Sequence, residues 1–261
     1  MKFLGDYHTH TVYSDAVNTV EDVAQCAIRQ GLKQVAITDH GFLNKWMSLT
    51  PRKFEKEIVE VVEVQKRFPQ IDILQGIEAN LMDILGTVDL FPEQVDKLDV
   101  LVMGFHRFAD STSYKDYFRF IIYNGFVSKV FKPTTNAITR NTDAFIKALE
   151  FCPVDILAHI NEHAKVDAKV VAQAAAEFGT FIELNVRHID LLDACMDDLL
   201  STNCQFIVNT DSHKPENIGK FDAIFPLIEK YQIPEERIAN LNKLPEFKRT
   251  AAYKRRNKNG K

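Results

Sequence analysis

Several familiar signals are missing from these 261 residues, and each absence removes a class of function. No apolar run approaches the ~20 residues of a membrane span. The opening MKFLGDYHTH lacks the apolar core of a signal peptide. Cysteine is sparse: Cys26, Cys152, Cys195 and Cys204 are widely spaced and form no CxxC pair. Without a secretory context they read as reduced core thiols, not as a disulfide framework or a zinc ribbon. Basic charge is not in excess either. A net charge of −4 and a pI near 6.1 leave no overall nucleic-acid footprint. Neither a G-x-S-x-G elbow nor a P-loop is present, so a serine nucleophile and a phosphate-cradling glycine loop are both unsupported. What remains is expected to be a soluble, cytoplasmic globular chain. At 46% hydrophobic it can bury a full core, and it lies near the upper size of one domain, although two small domains also fit the length.

The order of elements is more informative. Seven short runs rich in Ile, Val, Leu and Phe read as buried strands: residues 2–7, 33–38, 71–79, 98–105, 154–159, 180–186 and 205–210. Helical stretches separate most of them. Thr19 caps a helix over 20–30 that stops at Gly31, and Thr50–Pro51 opens one running to about Phe68. Others cover 167–178, closing on Gly179, and about 190–202. No eighth strand follows Gln232. Alternating strands and helices with seven strands predict an α/β fold, a (β/α)7 barrel.

Chemistry gathers where those strands end. His8 and His10, Asp39–His40, Glu78, His106, His159, Glu183 and Asn185, then Asp211 and His213 all follow or close a strand. In parallel α/β folds the carboxyl ends of the strands carry the site. Six of the eight histidines fall there, leaving out His163 and His188. Imidazole and carboxylate without clustered thiolate suit zinc, iron or manganese in a catalytic setting. A carboxylate can bridge two ions where a neutral imidazole cannot, and Glu78 sits in the middle of the set. The pattern describes a multinuclear metal site.

The motifs DYHTHTVYSD, AITDH, GIEANL, GFH, LAHI and NTDSH, in this order from about residue 4 to 215, resemble those of the polymerase-and-histidinol-phosphatase (PHP) family. The resemblance implies a distorted seven-stranded barrel and hydrolysis of phosphate esters by a metal-activated hydroxide at a trinuclear site. It implies two to three divalent transition-metal ions and the ligands His8, His10, Asp15, His40, Glu78, His106, His159, Asp211 and His213. His8, His10, Glu78 and Asp211 would hold one ion. Glu78 would bridge to a second with His106 and His159, and Asp15, His40 and His213 would hold the third. Glu78 and Asp211 would be the catalytic carboxylates. Asp15 stands where some relatives use histidine. Asp39 is either an acceptor that fixes the His40 ring or a strand-end cap, and Ser14 is equally a local turn former. Glu183 and Asn185 are expected on the floor of the site.

Substrate binding is expected from Arg187, Arg107 and Lys214, and from a long aromatic and basic loop over 107–141 that can act as a lid. The small phosphorylated ester is the expected partner, with no membrane. A nuclease acting on nucleic-acid ends and a metal-bound regulatory module are the alternatives. The phosphoesterase domain is expected over 1–247, followed by a basic tail over 248–261 with seven Lys or Arg and no acid.

Overall fold

The computed structural model describes residues 1–44 and 46–252. Its centre is a sheet of seven strands lying side by side in chain order. These are β1 (Gly5–Asp6), β2 (Gln34–Ile37), β3 (Asp72–Asn80), β4 (Val100–Gly104), β5 (Ile156–Leu157), β6 (Phe181–Asn185) and β7 (Gln205–Asn209). Every neighbouring pair is parallel. The expected (β/α)7 barrel is therefore the fold. Its helices start and stop where local chemistry requires. At α1 (Val20–Arg29) the Thr19 hydroxyl accepts from the Asp22 N–H while the Asp22 carboxylate accepts from the Thr19 N–H. At α2 (Pro51–Arg67) Thr50 caps the Lys53 N–H, and Pro51 needs no partner for its nitrogen. After α1, Gly31 turns the chain at a φ of +74°.

Two expectations are corrected. The helix expected over 190–202 is two short ones, Ile189–Asp193 and Met196–Leu200. The break is held by a distant residue: the Tyr231 hydroxyl donates to the Asp193 carbonyl at 2.9 Å. The loop expected over 107–141, whose YFRFIIYNGFV stretch reads as partly helical, is helical over most of its length. It is helical over Tyr114–Asp116, continues as a wide i→i+5 helix over Tyr117–Val127 and ends in Ser128–Val130. A further helix, α3 (Thr135–Phe151), begins within the expected loop because Thr134 caps the Ala137 N–H. The buried amides of Asn124 and Asn141 bond each other reciprocally at 3.0 and 2.8 Å, which pins the wide helix to α3.

The barrel interior is layered, and strand alternation makes it so. The lowest layer is apolar, with Tyr7, Ala36, Val100, Val102, Ile156 and Ile207 packed against Leu74, Phe181 and Phe247. Two residues further along the same faces come Thr38, Gly76, Gly104, Glu183 and Asn209. Two more bring His40, Glu78, His106, Asn185 and Asp211 to the mouth. β1 departs from this pattern: Tyr7 lies in the apolar layer, yet its neighbour His8 also reaches the centre.

Side chains close the barrel between β1 and β7. Asp6 accepts from the Thr210 N–H at 3.1 Å and its hydroxyl at 2.5 Å, and Thr9 bridges Ser212 at the mouth. Below, the fully buried Asn240 amide donates to Gly5 O at 2.9 Å and Val208 O at 2.6 Å, and accepts from Val208 N at 3.1 Å. At the opposite end from the mouth, Arg249 and Thr250 bond the buried Asp155 carboxylate through their N–H groups, and the Thr250 hydroxyl donates to it as well. The anchored chain thus runs past the expected boundary at 248, while residues 253–261 of the expected tail lie outside the described residues. Among the described residues no helix is long and apolar enough to cross a membrane.

Asn240 stands in for an eighth strand, so its loss should be costly. We expect Asn240→Ala to lower stability by about 2–4 kcal/mol, because it leaves buried backbone groups of Gly5 and Val208 unpaired. Urea denaturation monitored by circular dichroism measures this; a loss below about 0.5 kcal/mol would contradict the closing role.

Candidate metal centre

One carboxylate organises the mouth. The Nε2 atoms of His8, His106 and His159 lie 3.3, 3.3 and 2.8 Å from Glu78 Oε1. The other oxygen, Oε2, faces His10 Nε2 at 3.6 Å and His40 Nδ1 at 2.9 Å. Asp211 Oδ1 is 3.4 Å from His10 Nε2 and 3.8 Å from His8 Nε2. Towards solvent, Asp15 Oδ1 sits 3.6 Å from His40 Nε2 and 3.4 Å from His213 Nε2. All nine residues expected from the sequence are therefore brought together. Their donor atoms form four overlapping clusters: His10, Asp15, His40 and His213; His8, His159 and Asp211; His8, His10 and Glu78; His40, Glu78 and His106. The first includes all three residues expected around the third ion. His40 spans two clusters, where the sequence reading used it once.

The residues beneath aim these rings. Glu183 Oε1 accepts from His8 Nδ1 at 2.7 Å, so His8 Nε2 is left facing the centre. The same carboxylate takes Asn209 Nδ2 at 3.0 Å, Asn185 Nδ2 at 2.9 Å and the His159 N–H at 3.0 Å. Glu183 and Asn185 thus form the expected floor. Asn80 was not expected. Its Oδ1 accepts from His106 Nδ1 at 2.7 Å, because its own Nδ2 is committed to buried Asp89 at 2.5 Å. Glu162 was missed as well, and it approaches His159 Nδ1 at 3.1 Å. Asp39 does not hold the His40 ring. It accepts from the Thr11 N–H at 2.8 Å and from the hydroxyls of Thr11 and Ser14, which shapes the turn that carries Asp15. Ser14 is a turn former.

Backbone is bent to the purpose. His159 and Asp211 adopt φ of +26° and +49°, a region that costs ~1–3 kcal/mol for such residues and concentrates at functional sites. Gly104 has no Cβ where one would meet His159 Cε1 at 2.6 Å and Glu78 Oε1 at 3.0 Å.

A cavity of about 220 Å³ opens above. His163 and His188, left outside the strand-end set, line it with Glu162, Arg107, Phe108, Met47 and Arg187. All eight histidines therefore converge on one place. Arg187 Nη1 bonds Asp211 Oδ1 and the Asp211 carbonyl, each at 3.0 Å. Lys214 is exposed and does not line the cavity, so its expected role is not supported.

The donor set fits metal ions. His8 Nε2, both ring nitrogens of His10, His40 Nδ1 and Glu78 Oε2 are buried without a hydrogen-bond partner. Buried polar atoms are rarely left so, and here they face one another. Burial favours a neutral Glu78, but His106, His8 and His40 outweigh it and hold the carboxyl well below its usual range. Burial likewise opposes charge on Asp211, which His8, His10 and Arg187 keep ionised. Burial, with His40 and His213 nearby, lowers His10 to about 4. For His159 burial works against protonation, yet Glu162 and Glu78 lift it to about 10, and carboxylates lift His8 in the same way.

The sequence pattern of the PHP domain family matches residues 6–187. A protein of Shewanella sediminis named "probable phosphatase" is 31% identical, over 99% of this chain and 97% of its own. One of Acetivibrio thermocellus with the same name is 29% identical, over 92% of each. Among solved structures, the histidinol phosphate phosphatase of Lactococcus lactis, determined with zinc, L-histidinol and phosphate, superposes with a TM-score of 0.62. It is 18% identical and aligns over 88% of this chain and 94% of that one, a likeness of fold.

Because Glu162 and Glu78 raise His159, metal binding there should displace a proton. Calorimetric titration of the metal-free protein with zinc near pH 7, in buffers of different ionisation enthalpy, should show release of at least one proton per chain. Affinity should rise with pH through this range. Proton uptake, or affinity independent of pH, would contradict the assignment. Gly104→Ala should lower metal content of the folded protein, read by elemental analysis, because the added methyl group displaces His159.

Proposed function

Because this chain belongs to the PHP domain family, we propose that it hydrolyses small phosphomonoesters, with two to three divalent transition-metal ions held around Glu78. Kinship over nearly the whole chain makes it a phosphoester hydrolase. The observation that supports the finer reading is the convergence of five histidines on the two oxygens of one buried carboxylate. His8, His10 and Asp211 would join Glu78 at one ion, His106 and His159 at a second, and Asp15, His40 and His213 at a third. Zinc, manganese and iron suit these donors. When bound, such ions supply Lewis acidity toward the phosphate and acidify water.

The chain's own residues do the rest. Glu183, Asn80 and Glu162 fix ring orientation through the far nitrogens of His8, His106 and His159. Arg187 holds Asp211 and, being half exposed at the rim, offers a guanidinium to an incoming phosphate. Arg107 also lines the cavity and offers a second positive charge. Met47 and Phe108 wall the opening with apolar surface and limit the entry of water. The cavity favours an ester of small size, a class that includes histidinol phosphate. Four free, buried cysteines suit a reducing cytoplasm.

Steady-state kinetics test this reading. Turnover of 4-nitrophenyl phosphate should disappear on chelation and return with zinc or manganese, and some small phosphomonoester should exceed every oligonucleotide in kcat/KM. A better oligonucleotide substrate with a steep salt dependence would contradict it. Arg187→Ala should raise KM about tenfold or more, the scale of a lost charged hydrogen bond. Metal content is measured alongside, because Arg187 also secures Asp211.

A further inference from the structure

The cavity above the metal centre has room for a phosphate and little of a longer leaving group. At about 220 Å³ it falls below the ~300–1,000 Å³ of pockets that surround a drug-sized ligand. A longer leaving group must cross the rim, and the residues there are of two kinds. The polar ones already satisfy one another: Glu162 pairs with His159 at 3.1 Å and His163 at 3.2 Å, and Arg187 with Asp211 at 3.0 Å. Met47 and Phe108, beside Arg107, are apolar, and Phe108 is 37% exposed.

From Phe108 the apolar surface continues outward. Its ring meets that of Phe126 at 6.2 Å between centroids. Gly125 brings the backbone of the wide helix close to Arg107, where a Cβ would lie 3.1 Å from Cγ. Along that helix Tyr114, Phe118, Ile122, Phe126 and Val130 recur every four residues. All but half-buried Ile122 are exposed, from 43% at Phe126 to 90% at Tyr114. The opposite side, Phe120, Ile121, Asn124 and Gly125, is buried. A surface helix ordinarily turns a polar face to water; this one is apolar on both. Exposed Lys115 and Arg119 flank the stripe, and no acidic residue occurs between Asp116 and Lys132. The face is apolar and cationic, and it adjoins a phosphate site.

We infer that the substrate's leaving group is apolar, an alkyl or aryl chain running from the phosphate over Phe108 and Phe126 along this stripe. The inference rests on the phosphomonoesterase reading above. A carbon chain laid there covers exposed rings and needs no partners. A hydroxylated leaving group would lose water over the Phe108 and Phe126 rings, which offer it no hydrogen-bond partner.

The test measures kcat/KM of the metal-loaded protein for ethyl, butyl, hexyl and octyl phosphate, each below its micelle concentration, with glucose 6-phosphate and histidinol phosphate as polar comparators. For a half-covered chain the value should rise about twofold per methylene, through KM. Phe126→Ser should flatten that slope. Long-chain alkyl phosphate held in neutral phosphatidylcholine vesicles distinguishes a lipid-borne source from a dissolved one, and turnover in either form supports the inference. A flat dependence on chain length, an unchanged slope in Phe126→Ser, or a polar comparator exceeding octyl phosphate overturns it while leaving the phosphomonoesterase reading intact. Failure to turn over any phosphomonoester overturns both.

Discussion

An ionised carboxylate at the dry centre of the barrel mouth, Glu78, is the constraint on which the rest of the structure depends. Burying such a charge costs several kcal/mol unless it is compensated. The surrounding imidazoles provide the compensation only if several strands deliver them to one point. A parallel barrel does this, because alternation along each strand brings a residue from every second position to the same opening. The left-handed backbone at His159 and Asp211 and the missing side chain at Gly104 follow from the same demand for close approach. So does the mixed protonation of the site. Burial, with His40 and His213 nearby, lowers His10, whereas Glu162 and Glu78 raise His159 against its burial.

The layers below make the centre possible. The apolar plug around Val100, Val102 and Ile207 excludes water from beneath, which strengthens every interaction above it. Above the plug, Glu183 and Asn209 lie just beneath the mouth and Asn185 and Asn80 lie at it, each holding its neighbours by hydrogen bonds. Closure by Asp6 and Asn240 in place of an eighth strand keeps β1 next to β7. His8 and Asp211 can therefore share one cluster of donors although they are separated by almost the whole chain.

Much of this was readable in the residues. Thr19, Thr50–Pro51, Gly31 and Gly179 mark helix ends through backbone bonding and φ, which are local effects. The strand-end acids and histidines could be found because a parallel sheet collects its strand ends on one face. What escaped notice was set at a distance. Nothing near Ala194 announces a break that Tyr231 holds, and nothing near Asn124 predicts its pairing with Asn141. Glu162 and Asn80 act through a partner's far nitrogen, and His163 and His188 reach the rim from turns without a period. Asp39 stands beside a ligand yet serves the turn before Asp15, a choice of partner that only the folded register decides.

The central claim is that Glu78 lies between metal ions. Crystals grown with manganese or zinc, with diffraction recorded on either side of the metal's absorption edge, test it most directly. The account predicts separate anomalous peaks on the two sides of the Glu78 carboxylate, one beside each oxygen. A single peak, or peaks remote from Glu78, would contradict it.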